Sequence, residues 1–232
     1  MTTRIDVLDT DGALREAEAA IAGDTRASFL RKAAVGGGAA LTSGAILGML
    51  PELATAAKPS KKNDIAILNF ALTLEYLERD FYLEAVGGGA LSGDVLGFAQ
   101  LVAAHESTHV IALRKTITSL GGRGVAHPKF NFMGTTGDQQ KFLATSFVLE
   151  NTGVHAYLGQ AGNLKSKALL KTAAAIVKVE ARHAAAVAGL IGQKPYDLTG
   201  AGFNYTPQGA FDTAWSKKRV LKNVGKTGFI VS

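Results

Sequence analysis

The sequence has no cysteine among its 232 residues. This absence excludes disulfide scaffolds, thiolate metal sites, iron–sulfur clusters and cysteine nucleophiles. Any metal ion held by side chains must therefore be bound by histidine, aspartate or glutamate.

Charged residues are also few, at 19% of the chain against 47% hydrophobic residues. This balance excludes an intrinsically disordered chain and predicts one domain with appendages. The formal net charge is +6, but the basic excess lies beside the N-terminal apolar stretch and in the tail from Lys217 to Lys226. Because no stripe of Lys and Arg is interleaved with aromatic residues, we expect no nucleic-acid partner.

Convincing alternation of apolar and polar residues with a period of two is absent, which argues against a sheet. Four long stretches instead repeat apolar residues with the helical period of about 3.6. They predict helices at about 64–86, 92–121, 136–164 and 166–191. Two short connections around one longer crossover predict an all-α, antiparallel four-helix bundle over residues 64–192, with Asp64 as the first N-cap.

The flanks of the predicted bundle are of two kinds. Residues 58–63 are a predicted linker. Residues 193–232 are a C-terminal tail that we expect to pack either across the bundle or against another chain. In the second case the protein would self-associate. Residues 1–57 have the order of a secretory signal, with a cationic start, a Gly/Ala-rich apolar run at 33–50 and small residues at 54–56.

The N-terminal segment resembles an imperfect twin-arginine export signal, in which one arginine stands where that signal has a pair. We therefore expect an exported protein, located in the periplasm, at the cell surface or outside the cell, with the mature chain beginning near Ala57. The alternative is a cytoplasmic protein whose N-terminal helix packs on the body. Five glycines within residues 33–50 argue against a permanent transmembrane helix.

Carboxylates and imidazoles recur on the apolar faces of all four predicted helices. A carboxylate is seldom buried without a partner, because desolvation of its charge is costly or forces protonation. The helical period places a Glu, or a Glu and a His three residues apart, among the core residues of each helix. These residues are Glu75, Glu106, His109, Glu150, Glu180 and His183.

The same arrangement occurs twice along the chain. A lone Glu precedes a Glu-x-x-His motif by 31 residues in the first half, from 75 to 106, and by 30 in the second, from 150 to 180. Two such hairpins would bring four carboxylates and two imidazoles into one pseudo-twofold site, the ligand set of di-iron and di-manganese bundles. We predict two metal ions bridged by Glu106 and Glu180, with iron or manganese favoured and zinc as an alternative.

Four further residues are candidates for roles beside these ligands. Tyr82 and Tyr157 could donate hydrogen bonds to the lone carboxylates, or be core tyrosines with satisfied hydroxyls. Glu78 is a candidate substitute ligand. His105 is a candidate outer contact of the site or an added ligand.

Residues 105–109 also form the zincin motif His-Glu-x-x-His, in which two histidines bind zinc and the glutamate is a general base. A third ligand is missing, since the motif does not continue downstream and no Glu occurs between residues 110 and 149. A zinc peptidase is therefore a minor alternative. The two remaining histidines, His127 and His155, are predicted to lie on the surface.

Several segments carry a family resemblance when they are taken together as an ordered set. They are Ile67–Leu72, Leu74–Glu78, Phe81–Tyr82, His105–His109, Leu149–Val154, Ala156–Gly159 and Val179–His183. The set resembles the ferritin-like domain family that includes exported bacterial proteins and plant desiccation-related proteins. The resemblance implies a ferritin-like bundle and a di-metal site, but no single activity.

Two ions about 3.5 to 4 Å apart could bind O2 or peroxide between them. With iron, we expect oxidation of Fe(II) by O2 or peroxide; with manganese, we expect peroxide disproportionation. The alternative is a non-catalytic protein, stress-related or structural at the cell surface, with a structural or empty metal site. The sequence leaves both open.

Overall fold

The computed structural model describes residues 60–192 and 212–231, and the predicted export segment 1–57 lies outside them. Four long helices occupy the first range and one shorter helix the second. They are α1 (Lys61–Gly87), α2 (Gly93–Ser119), α3 (Gln139–Ala161), α4 (Lys167–Leu190) and α5 (Lys217–Thr227). The predicted all-α bundle is confirmed. Within the described ranges, no helix combines the length and apolar character that a membrane crossing requires.

The bundle consists of two helical hairpins. α1 packs mainly along α2, and α3 mainly along α4, and a connection of only a few residues joins each pair. A longer crossover, residues 120–138, leads from the first hairpin to the second. Two hairpins joined by one crossover are the connectivity that the sequence predicts.

The start of α1 differs from the prediction. Ser60, not Asp64, is the N-cap, and its hydroxyl accepts a hydrogen bond from the backbone N–H three residues later at 3.1 Å. Helix α1 thus begins within the predicted linker. Asp64 is buried and accepts backbone hydrogen bonds from Lys165 and Ser166, at 2.8 and 3.3 Å, in the α3–α4 connection. The predicted cap was wrong because this aspartate bonds to the other hairpin.

The start of α3 also differs. Residues Thr135–Gly137 form a 3-10 turn, and the helix begins only at Gln139. Asp138 caps it, because its side chain accepts a hydrogen bond from the backbone N–H of Lys141 at 2.8 Å. The predicted start at 136 therefore falls in the turn that leads into the helix.

Along α2 and α4, two apolar clusters lie on opposite sides of a polar interval. On α2 the first cluster uses buried residues between Val95 and Ala103, and the second uses residues between Val110 and Ile117. On α4 the second cluster uses Leu169 and Ile176, and the first uses residues 187 and 188. The buried glutamates and histidines of both helices lie in the intervals between. The fold therefore encloses its polar residues in the middle of the bundle, with apolar packing on either side.

Residues 212–231, the described part of the C-terminal tail, pack across the same chain. α5 lies along α3, with Val220 and Val224 buried. Strand β2 (Ile230–Val231) pairs antiparallel with strand β1 (Lys129–Phe130) of the crossover. This two-residue pair agrees with the prediction of little or no sheet. Strands of two residues are too short to show alternation of apolar and polar residues in the sequence. Their pairing depends on how the tail docks.

His155 lies under the tail. Its ring stacks on Trp215 with 4.3 Å between ring centroids, and its backbone carbonyl accepts a hydrogen bond from the Trp215 N–H at 3.0 Å. The side chain is only 16% exposed. The residue predicted to lie on the surface is therefore partly covered, because the bundle sequence alone does not show which face the tail covers.

Substitution of Gly159 tests the docking of the tail. A Cβ at this position would overlap the Trp215 carbonyl oxygen and lie 3.0 Å from its nitrogen. Gly159→Ala should therefore displace the tail, lower the free energy of unfolding by about 1 to 3 kcal/mol and expose the tail to proteases. Thermal unfolding and limited proteolysis measure both effects.

Gly97→Ala is the matched control, because a Cβ in this position of α2 meets nothing within 4 Å. It should stabilise the helix by about 0.5 to 1 kcal/mol. Equal stability changes in the two variants, or a protease-resistant tail in Gly159→Ala, would contradict this account of tail docking.

Candidate metal centre

The middle of the bundle contains a buried cluster of carboxylates and imidazoles. All four helices contribute, and the Glu-x-x-His spacing puts both members of each motif on one helix face. The glutamates Glu75, Glu106, Glu150 and Glu180 have no exposed surface. The imidazoles of His109 and His183 are almost fully buried, at 9% and 4% residue exposure. The structure thus brings all six predicted ligands together.

The cluster contains two overlapping groups. In each group, ligand-competent atoms of four residues lie within 4.8 Å of one another. The first group is Glu75, Glu106, His109 and Glu180. The second group is Glu106, Glu150, Glu180 and His183. Because Glu106 and Glu180 belong to both, they occupy the positions that bridging carboxylates would need.

The contacts inside the cluster follow the predicted pseudo-twofold relation. His109 Nδ1 lies 3.2 Å from Glu75 Oε2, and His183 Nδ1 lies 3.1 Å from Glu150 Oε2. Each lone glutamate also accepts a hydrogen bond from a buried tyrosine of the other hairpin. Tyr82 donates to Glu150 at 2.5 Å, and Tyr157 donates to Glu75. These hydroxyls fix the orientation of the two carboxylates.

Three carboxylate oxygens of the two shared glutamates accept no well-oriented hydrogen bond, although His183 Nδ1 lies 3.3 Å from Glu106 Oε1 and His109 Nδ1 lies 3.2 Å from Glu180 Oε1. They are Glu106 Oε1, Glu180 Oε1 and Glu180 Oε2, all of them buried. A buried polar atom without a partner is costly, and buried charges are normally paired or coordinate a metal. The orphaned oxygens belong to the residues that both groups share. The donor set therefore fits two cations better than it fits an ordinary hydrogen-bonded core.

The protonation of the cluster reflects its burial. Burial, with repulsion from neighbouring carboxylates, raises the pKa of Glu106 and Glu180 well above the ordinary 4.5. Burial disfavours the charged form of His109, but its contacts with Glu106, Glu180 and Glu75 outweigh burial and raise the pKa from 6.5 to about 12. Protons on these groups would compete with cations for the same positions.

Glu78 lies one turn from Glu75 on α1 and is 3% exposed. It belongs to neither group of four, so its role as a substitute ligand stays a prediction. A Cβ built on Gly153 of α3 would lie 3.2 Å from Glu78 Oε1 and 3.3 Å from Glu180 Oε2. Because Gly153 has no side chain, the carboxylates of Glu78 and Glu180 can both lie close to α3 at this position. Gly153 follows Glu150 by three residues, a spacing that puts both on one face of α3 and that marks the position in the sequence.

His105 lies at the edge of the cluster and belongs to neither group. Its Nδ1 is 2.9 Å from His183 Nε2, and the two rings stack with centroids 5.2 Å apart. The zinc-peptidase alternative requires His105 and His109 to face one ion. This arrangement gives that alternative no support, because His105 contacts the outer nitrogen of His183 instead.

His127 lies in the crossover, away from the cluster. Its side chain is 44% exposed, and its Nε2 lies 2.6 Å from Asp80 Oδ2. It therefore has no part in the candidate metal centre.

Comparison with known proteins agrees with the fold and the cluster. The profile of the ferritin-like domain family matches residues 63–193, which is more than half of the chain. No curated protein is similar enough to the sequence to count as a match. The profile covers every residue of the cluster and the four long helices except the first two residues of α1. The chain belongs to the ferritin-like domain family.

Proposed function

We propose that the protein binds two metal ions between its four helices. The observation that carries the proposal is that two groups of four ligand-competent residues share Glu106 and Glu180. Four carboxylates would neutralise two divalent ions, which removes the cost of burying unpaired charge. Glu75 and His109 would hold one ion, and Glu150 and His183 the other.

The donor set favours iron or manganese, because it combines carboxylate oxygens with two imidazole nitrogens. Zinc also accepts these ligands. When bound, an iron pair would supply oxidation of Fe(II) by O2 or peroxide, and a manganese pair would supply peroxide disproportionation. The packing around the four glutamates leaves them no exposed surface, which keeps bulk water away from the site. Tyr82 and Tyr157 hold Glu150 and Glu75 by hydrogen bonds, which keeps these ligands oriented.

A non-catalytic site is the second candidate. It is favoured by the complete burial of the four glutamates, since structural metal sites are closed whereas catalytic ones keep an open position. In that case the ions would join the two hairpins, and the protein would have a structural or stress-related role without turnover.

Exposure of the Fe(II)-loaded protein to O2 or peroxide separates the two candidates. For a redox site we expect about two Fe(II) oxidised per chain in a rapid phase, followed by optical absorption of the ferric product. Fe(II) that stays reduced, or oxidises no faster than in buffer, would contradict the redox role. His127→Gln is the control, because it removes an exposed imidazole outside the cluster and should change neither the rate nor the number of ions.

A further inference from the structure

The two halves of the cluster are not equivalent. The internal repeat relates Glu106 to Glu180 and His109 to His183. By the same relation, the position before each Glu-x-x-His motif is His105 in the first half and Val179 in the second. An imidazole at one of these positions therefore has an aliphatic counterpart at the other.

His105 contacts the nitrogen of His183 that faces away from the carboxylates. The other nitrogen, His183 Nδ1, lies 3.1 Å from Glu150 Oε2 and 3.3 Å from Glu106 Oε1. A histidine that binds a metal through Nδ1 carries its proton on Nε2. That proton would be donated to His105 Nδ1 over the 2.9 Å contact.

His109 has no comparable support. Its Nδ1 faces Glu75 and Glu106, at 3.2 and 3.0 Å. Within the described ranges, its Nε2 makes no hydrogen bond to a side chain or to the backbone. Val179 offers it no polar atom, and the His109 side chain is 11% exposed against 5% for His183.

A second asymmetry lies in the same half of the cluster. The repeat relates Glu78 on α1 to Gly153 on α3. The carboxylates of Glu78 and Glu180 both lie beside the space that a side chain at position 153 would fill. The α3 side of the cluster, next to Glu150, therefore has an additional carboxylate close to it.

We propose that His105 is a positioning residue for His183, and that it makes the metal position of Glu150 and His183 the tighter one, which fills first. The inference rests on the proposed two-ion site. The hydrogen bond fixes the tautomer and the ring orientation of His183. The side chain therefore loses less conformational freedom when the ion binds. Outer contacts of this kind typically change metal affinity by about 10 to 100-fold.

Anaerobic calorimetric titration of the full chain with Mn(II) or Co(II) tests the inference. The unmodified protein should bind two ions in two unequal steps. In His105→Phe, the first step should weaken by about 10 to 100-fold while the second stays within a few-fold. His105→Asn should recover most of the loss, because its Oδ1 can accept the same hydrogen bond.

Val179→His supplies the missing acceptor in the other half and is the matched gain-of-function variant. It should strengthen the second step and bring the two affinities closer together. Circular dichroism and thermal unfolding of each metal-free variant check that the bundle is intact.

Two results would overturn the inference while the proposed function survives. In the first, the protein binds two ions, but His105→Phe weakens both binding steps equally or weakens neither of them. The other is a second step that Val179→His leaves unchanged. An unmodified protein that binds no Mn(II), Co(II) or Fe(II) would overturn both the inference and the proposed function.

Discussion

Glu180→Gln should remove both metal ions from the protein, although it only replaces one carboxylate oxygen by an amide NH2 group. Glu180 belongs to both groups of four, so its loss deprives each ion of a charged ligand. The affinity for both ions should fall by more than about 100-fold, which is the loss expected when a residue that only contacts a ligand is removed. Metal analysis of the purified variant, or titration with Mn(II), measures the loss. Glu106→Gln on α2 should have an equally large effect for the same reason.

The stability of the metal-free variant separates ligation from simple packing. Neither oxygen of Glu180 accepts a well-oriented hydrogen bond, although His109 Nδ1 lies 3.2 Å from Oε1, and burial raises the pKa of the Glu180 carboxyl group well above 4.5. Glu180→Gln keeps the shape and removes the charge, so the metal-free variant should melt at the same temperature or higher. A large drop in its melting temperature, with metal binding retained, would show that the residue acts by packing.

His105→Ala is the comparison that addresses the zinc peptidase. Its contact with His183 predicts a moderate effect on one ion only. A zincin would lose its metal entirely in this variant and would keep it in Glu180→Gln. That reversed pattern would refute the carboxylate-bridged site even though the bundle fold is confirmed.

The stabilisation of the protein by metal should grow as pH rises from about 5 to 8. Metal ligands must be deprotonated, so protons on Glu106, Glu180 and the two imidazoles compete with the ions at low pH. At about 100 times the dissociation constant, bound metal contributes about 2.7 kcal/mol. For a domain of this size that equals a rise in melting temperature of roughly 5 to 10 °C.

The metal-free protein should show the opposite trend with pH. Glu78, Glu106 and Glu180 have pKa values raised above 4.5, so the folded state binds more protons than the unfolded state and stability falls as pH rises past that value. His109 adds to this: its stabilising proton is fully effective below 6.5 and is lost as pH rises toward about 12. Glu75 acts in the other direction, because its hydrogen bonds to His109 outweigh burial and lower its pKa.

Thermal unfolding with Mn(II) and with a chelator, across this pH range, measures the difference between the two trends. Glu180→Gln is the control and should show no gain from metal at any pH. A gain that stays constant or shrinks with rising pH would mean that the cluster does not exchange protons for cations.

The residues of the cluster could be predicted because the evidence for them is local. Glu75 and Glu150 stand among apolar residues at helical spacing, and the desolvation cost of a carboxylate makes such a position informative. The Glu-x-x-His spacing puts two ligands on one helix face, and its repetition reports a second hairpin. The bundle followed from the same periodicity, since it depends on which faces are apolar.

Contacts between distant segments could not be predicted in the same way. Asp64 has the sequence context of an N-cap, yet it bonds to Lys165 and Ser166 in the other hairpin. The partial covering of His155 depends on where the tail docks. The partner of His105 follows from the packing of α2 against α4, which sequence spacing on one helix does not specify.

Anaerobic titration of the metal-depleted protein with Fe(II), with free and bound ions separated at each point, tests the central claim most directly. Two groups of ligands that share Glu106 and Glu180 predict saturation at about two ions per chain, and close to none in Glu180→Gln. Saturation at one ion per chain that Glu180→Gln leaves unchanged would contradict the two-ion carboxylate-bridged site.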